Sequence, residues 1–234
     1  MSPGSEPRRV LNSQSFSTTG FIVVEGLIDS ALCDRLGAEL DSSTSGRAGS
    51  RTLLSNSSCR KLAEALKRRS DIVSLLPSDA VAVQCTLFDK NASRNWLVPF
   101  HQDLSIPVRQ RSECAGWSAW SFKEGQWFVQ PPNAVLESLL AIRIHLDPST
   151  PENGSLRVVP GSHRFGRLGD AEADQVRLRS SEVGVYTERG GALIMSPLLL
   201  HASSRASQPT ARRVLQFLFG PRQLPDGFQW ADAV

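Results

Sequence analysis

From residue 81 to residue 219 the chain is a succession of short apolar segments, each ended by a Gly- or Pro-containing turn signal. Few folds accept such punctuation. Val81, Val83 and Cys85 alternate with Ala82, Gln84 and Thr86, the period of a strand. Further strands are expected over 115–121, 135–146, 156–159, 192–195 and 212–219. The breaks between them are Gln130-Pro131-Pro132-Asn133, Asp147-Pro148, Glu152-Asn153-Gly154, Pro160-Gly161-Ser162 and Gly190-Gly191. Many strands, tight turns and little helix after residue 80 predict a sandwich or barrel.

The first third reads differently. Phe21-Ile22-Val23-Val24 has strand character, and a helix is expected over 28–40, where Leu32, Leu36 and Leu40 fall on one face. Asp29 or Ser30 is placed to cap it. A second helix is expected over 58–69, with Leu62 and Leu66 on one side. The Ser- and Gly-rich stretch 41–58 reads as a solvated loop or a mobile cover for a binding site. Residues 1–16, rich in Ser, Pro and Arg, are expected to form a flexible arm. Residues 17–234 then form one mainly β domain, a jelly-roll barrel with amino-terminal helices packed against it.

Bulk properties exclude several alternatives. Charged residues make up 21% of the 234 and no apolar run reaches membrane-spanning length. No signal-like apolar run follows the basic pair Arg8-Arg9, so a cytoplasmic location is expected. Cys33, Cys59, Cys85 and Cys114 form no close pair, in keeping with reduced thiols. Of 26 basic residues, 22 are arginines, for a net charge of +3; they are too dispersed to define a nucleic-acid surface.

Only four histidines are present, which makes their settings informative. His101 and Asp103 form an H-x-D pair after Trp96-Leu97-Val98-Pro99-Phe100. Two residues apart at a strand end, they share one side of the backbone and can reach one ion. His201, after the apolar run Leu198-Leu199-Leu200, is the candidate third ligand. Two imidazoles and one carboxylate leave three octahedral positions open, the facial arrangement used by Fe(II) oxygenases. Arg212 stands 11 residues beyond His201 and begins an alternating segment. Buried on an inward face it needs an anion, and a dicarboxylate such as 2-oxoglutarate supplies one. Spacing alone does not choose between Arg212 and Arg213.

Taken together these words resemble the phytanoyl-CoA dioxygenase family of Fe(II)/2-oxoglutarate-dependent oxygenases. The matching pieces are Phe100-His-Gln-Asp103, Glu152-Asn-Gly-Ser-Leu-Arg-Val-Val-Pro-Gly-Ser-His163, Met195-Ser-Pro-Leu-Leu-Leu-His-Ala-Ser203 and Arg212-Arg213, in the family's order. The resemblance runs from Gly20 to about Phe219 and implies a double-stranded β-helix (jelly-roll, cupin-like) barrel. It implies that His101, Asp103 and His201 hold Fe(II), and that Arg212 and Ser203 bind the distal carboxylate of 2-oxoglutarate. Gln84 matches a polar residue contacting the cosubstrate, and Trp117 an aromatic residue near its metal-bound end. His163 orders a loop. Arg143 and His145, on one side of a strand by parity, are substrate-contact candidates.

The implied reaction uses O2 and 2-oxoglutarate to hydroxylate a small organic molecule, releasing succinate and CO2. Retention of Asp103 favours hydroxylation over halogenation. Ser204 and Arg205 stand where many members carry an asparagine, which loosens any transfer of substrate identity. Competing readings are a non-catalytic metal- or ligand-binding jelly-roll protein and an oxygenase acting on nucleic acid or protein. A homodimer is the commonest assembly for such a chain.

Overall fold

The computed structural model describes residues 13–43, 49–208 and 211–234. Two helices, α1 (Ser13–Thr19) and α2 (Ser30–Ser43), flank strand β1 (Phe21–Val24); β2 (Gly49–Ser50) and α3 (Ser57–Lys67) follow. The strand-rich part begins with β3 (Val81–Lys90), β4 (Val98–His101), β5 (Ile106–Val108), β6 (Ser118–Lys123) and β7 (Gln126–Gln130). It continues through α4 (Asn133–Glu137), β8 (Leu140–His145), β9 (Leu156–Val158), α5 (Asp170–Leu178) and β10 (Val183–Val185), to β11 (Ala192–Met195), β12 (His201–Ser203) and β13 (Arg212–Gly220).

These strands make a six-stranded sheet ordered β1-β11-β8-β13-β3-β2, a four-stranded sheet ordered β10-β9-β12-β4, and a three-stranded sheet ordered β5-β7-β6. Pairing between the named strands is antiparallel throughout. One face of the six-stranded sheet is covered by helices. Leu36 and Leu40 of α2 and Leu62 and Leu66 of α3 join Leu87, Ile142, Ile144 and Phe217 in one apolar cluster. The other face meets the smaller sheets through Ala141, Leu193, Met195 and Leu218, which pack with Val158, Leu198 and Val129. The result is the expected jelly-roll architecture with amino-terminal helices against its larger sheet. None of the described helices is long and apolar enough to cross a membrane.

Local chemistry explains the helix ends. Asp29 Oδ1 accepts from the Leu32 amide at 2.7 Å, which starts α2. Asn56 caps α3 by accepting from the Ser58 and Cys59 amides at 2.9 and 3.0 Å, so the helix starts at Ser57, one residue earlier than apolar periodicity alone indicates. Residues 13–16, read as the end of a flexible arm, lie in α1; residues 1–12 lie outside the described residues, as do 44–48 of the candidate cover.

Other expectations need correction. The segment 135–146 is not one strand, because Pro132 opens the short helix α4 and β8 begins only at Leu140. The strand expected from 115 starts at Ser118, after a turn through Gly116. Helix after residue 80 is little, as expected, with α5 beginning where the Glu172 side chain accepts from the Gly169 amide.

The most consequential correction is on β3. Leu218 pairs with Gln84 but Phe219 pairs with Ala82, so Val83 is an extra residue. This β-bulge reverses the alternation: Cys85 joins Ala82 on the helix side, while Gln84, Thr86, Phe88 and Lys90 turn into the barrel.

Candidate metal centre and adjoining cavity

β12 pairs with β4 so that His201 lies directly opposite His101. Two residues 100 apart in sequence thereby become neighbours, with ring centroids 4.3 Å apart. Asp103 lies just past β4, where its amide donates to the Pro197 carbonyl at 2.8 Å. That bond ties it to the loop leading into β12. The candidate ligand atoms of His101, Asp103 and His201 all lie within 4.8 Å of one another. Asp103 Oδ1 is 3.7 Å from His101 Nε2, and Oδ2 is 3.9 Å from His201 Nε2. Such separations are too long for hydrogen bonds but suit donors sharing one ion at bonds of about 2 Å.

The tautomers suit a metal as well. His101 Nδ1 faces the Pro99 carbonyl at 2.9 Å and His201 Nδ1 faces the Leu199 carbonyl at 2.8 Å. A carbonyl only accepts, so each Nδ1 carries the proton and each Nε2 presents its lone pair to the site. Burial pushes His201 down to about 4 and keeps it neutral. Burial also disfavours the Asp103 carboxylate, but His101, His201 and Arg143 together hold its pKa well below the usual range. At His101 burial is outweighed by Asp103 and the Pro99 carbonyl, and the pKa rises.

Asp103 has a further anchor. Gln216 Nε2 donates to Asp103 Oδ2 at 3.2 Å, while Gln216 Oε1 accepts from Arg143 Nη1. A guanidinium only donates, so Arg143 fixes which end of the amide meets the carboxylate.

The triad opens into a cavity of about 300 Å³. At its far end Ser203 Oγ accepts from Lys90 Nζ at 2.7 Å and from Arg212 Nη2 at 3.3 Å, and donates to the Gly154 carbonyl at 2.8 Å. Arg212 Nε donates to the Asn153 carbonyl at 3.2 Å, leaving Nη1 buried with no partner among the described residues. Gly154 makes this turn possible: its φ is +73°, and a Cβ there would lie 2.4 Å from the Ser204 carbonyl oxygen. Burial and neighbouring arginines lower Lys90 to about 8, and burial with Arg143 lowers Arg212 to about 10. Asp103 is the only carboxylate among the described residues lining the cavity, whereas Arg51, Lys90, Lys123, Arg143 and Arg212 all border it. A buried cluster of cations with an orphaned guanidinium nitrogen fits a dicarboxylate.

Several expected site residues therefore converge: His101, Asp103, His201, Arg212, Ser203, Gln84 and Arg143 all border one cavity. Arg213 faces outward, where Asp147 grips it through two bonds of 2.8 and 2.9 Å. Trp117 is a correction, for it does not line the cavity. Its ring stacks on Phe228 with centroids 3.8 Å apart, and its Nε1 donates to Asp226 at 2.8 Å. His145 is another. It is 2% exposed, two residues beyond Arg143 on β8, with neither ring nitrogen partnered among the described residues, and burial with the nearby arginines lowers it to about 3. It is a neutral core histidine away from the cavity wall. His163 Nε2 reaches the Ser17 carbonyl at 3.2 Å and tethers α1. Sequence reasoning missed Lys90 and Gln216. Parity offered a signal for both, because Lys90 follows Gln84, Thr86 and Phe88 at steps of two and Gln216 follows Arg212 at four.

A jelly roll carrying two histidines and one carboxylate beside a buried carboxylate clamp defines a mononuclear non-haem iron oxygenase. The family model described as phytanoyl-CoA dioxygenase (PhyH) matches residues 16–214, and the chain belongs to that family. It is an Fe(II)- and 2-oxoglutarate-dependent dioxygenase. A search of curated protein sequences finds no match. Among solved structures, HygX from Streptomyces hygroscopicus with nickel and 2-oxoglutarate bound is similar, at a TM-score of 0.64 and 20% identity over 93% of this chain and 88% of that one. EctD from S. alaskensis, in its apo form, superposes at 0.65 with 18% identity, covering 93% of this chain and 80% of its own. The 2-oxoglutarate-type epimerase SnoN from nogalamycin biosynthesis gives 0.68 at 15% identity, covering 94% and 84%. These likenesses establish the shared fold.

Proposed function

We propose that His101, Asp103 and His201 ligate Fe(II), that Arg212 with Ser203 and Lys90 grips the far carboxylate of 2-oxoglutarate, and that the enzyme hydroxylates a small organic substrate. The observation that carries this reading is Arg212: 3% exposed, orphaned at Nη1 and facing the same cavity as the triad. A guanidinium so placed is costly to bury without an anion opposite it. Bound Fe(II) would supply the oxidation chemistry, coupling decarboxylation of 2-oxoglutarate by O2 to hydroxylation of a substrate carbon, with succinate and CO2 as the other products.

The chain's own residues supply placement. The Nδ1 bonds to Pro99 and Leu199 hold both imidazoles in the ligating tautomer. Gln216 keeps the Asp103 carboxylate turned toward the histidines. Gln84, brought inward by the bulge and held by its bond to Thr86 at 2.8 Å, is the proposed polar contact to the cosubstrate. Phe88, Trp96, Phe128 and Leu156 line the apolar walls that exclude water, and the volume of about 300 Å³ favours a compact substrate.

The test is 2-oxoglutarate turnover. Asp103→Ala should reduce succinate formation by roughly three orders of magnitude or more, because the metal site loses its anionic ligand. Succinate formation at the wild-type rate would refute the ligand assignment.

A further inference from the structure

We propose that Arg143 reads an anionic group on the substrate, so that the molecule oxidised carries a carboxylate or phosphate near the carbon presented to the metal. This rests on the cavity being an Fe(II) and 2-oxoglutarate site, and it assigns a buried charge that neither ligand contacts.

Arg143 is 5% exposed and borders the cavity. Among the described residues no carboxylate lies within ion-pair distance of it. Its one hydrogen-bond partner is the neutral Gln216 amide, its Nε is buried without a protein partner, and its guanidinium lies 4.8 Å over the Phe88 ring. Phe88 borders the cavity too, so the planar cation is presented along a cavity wall.

Charge counting shows that the cosubstrate does not satisfy this group. Fe(II) brings two positive charges, which Asp103 and the chelating carboxylate of 2-oxoglutarate cancel. The far carboxylate then faces Arg212 and Lys90, two cations already converging on Ser203. Arg143 is left to share Asp103, reached only through Gln216 and already engaged with the metal. At the rim Arg51 is satisfied, since its guanidinium meets Glu124 at 2.9 Å, whereas Lys123 adds another positive charge. With metal and cosubstrate loaded, the space left for substrate stays positive. Burying a guanidinium this deeply is costly unless something pairs with it during the working cycle. Its fork geometry matches carboxylate and phosphate oxygens alike.

The experiment uses the Fe(II)-loaded protein under anaerobic conditions with saturating 2-oxoglutarate, titrated calorimetrically with benzoate, phenyl phosphate and the neutral isostere benzamide. At least one anion should bind about tenfold or more tighter than benzamide, the advantage of one charge-assisted hydrogen bond pair. Which anion wins distinguishes a carboxylate from a phosphate substrate. Arg143→Gln, compared at saturating Fe(II) and 2-oxoglutarate, should erase the advantage, and Arg143→Lys should restore part of it. Benzamide binding as tightly as both anions in the wild type would overturn the proposal without recourse to any variant. So would an anion preference that survives Arg143→Gln. Failure of the wild type to bind 2-oxoglutarate at all is seen in the loading step and would instead remove the underlying reading together with this one.

Discussion

The cavity has two ends built from different materials. The metal end rests on the short strands β4 and β12 of the four-stranded sheet, and two of its three ligands stay partly open: the His101 and Asp103 side chains are 37% and 31% exposed. The cationic end rests on β3, β13 and β8, three adjacent strands of the six-stranded sheet, and Lys90, Arg212 and Arg143 are each at most 5% exposed. A metal that must take up O2 and two ligand atoms needs accessible coordination positions. A carboxylate clamp gains from the opposite condition, because a charge pair strengthens as water is excluded. The neighbours Arg212 and Arg213 repeat the contrast within one strand. The outward arginine is answered by Asp147 and Asp41, and the inward one, among the described residues, only by a hydroxyl and a carbonyl.

The two ends should fail differently. Arg212→Met removes the clamp and leaves the metal ligands intact. Two bonds to a charged group are worth about 1.5–3 kcal/mol each, so the KM for 2-oxoglutarate should rise roughly 100-fold. Discrimination against the monocarboxylate 2-oxobutyrate should collapse with it; unchanged discrimination would break the proposed division of labour. Gln216→Leu acts on the metal end from one residue further out. Losing the bond that orients Asp103 should weaken Fe(II) binding about tenfold, at the lower end of what outer partners of metal ligands contribute. Equilibrium dialysis against Fe(II) measures this, and undiminished affinity would show that Asp103 needs no orienting partner.

The smallest effect concerns pH at the cationic end. Lys90 sits at about 8, below the ordinary lysine value, through burial and the charges of Arg212 and Arg143. It is protonated at pH 7 and loses its charge as pH rises through 8. Affinity for the dianion should therefore fall above pH 8, by at most about tenfold per pH unit. Lys90→Met should be weaker at pH 7 and flat across that window. A wild-type affinity that does not change between pH 7 and 9 would remove Lys90 from the clamp.

How much of this could be read from residues alone also differs between the ends. His101-x-Asp103 and the distant His201 stand out because histidine is rare in this chain, and short-range parity already placed the pair on one side. The same parity failed on β3, where one extra residue at Val83 reverses every side chain after it. No composition signal marks a bulge, so alternation counted from Val81 did not place Gln84 on the barrel side; only its match to the family did, and Lys90 was missed with it. Trp117 failed for another reason: a buried tryptophan on a ring stack and one beside a cosubstrate have the same sequence neighbourhood. His145 shares its strand face with Arg143, but parity does not say how far along that face the cavity extends. Strand ends were legible where Gly or Pro marks them, as at β11. They were less legible where a proline opened a helix, as at α4.

The most direct test of a cavity with a metal end and a cationic end is an anaerobic titration of the Fe(II)-loaded protein with 2-oxoglutarate, followed by the visible metal-to-ligand absorption band. The wild type should develop the band and saturate at one equivalent. His201→Ala should show none, whereas Arg212→Met should reach the same amplitude only at much higher 2-oxoglutarate, by about two orders of magnitude. No band in the wild type, or a midpoint that Arg212→Met leaves in place, would contradict the account.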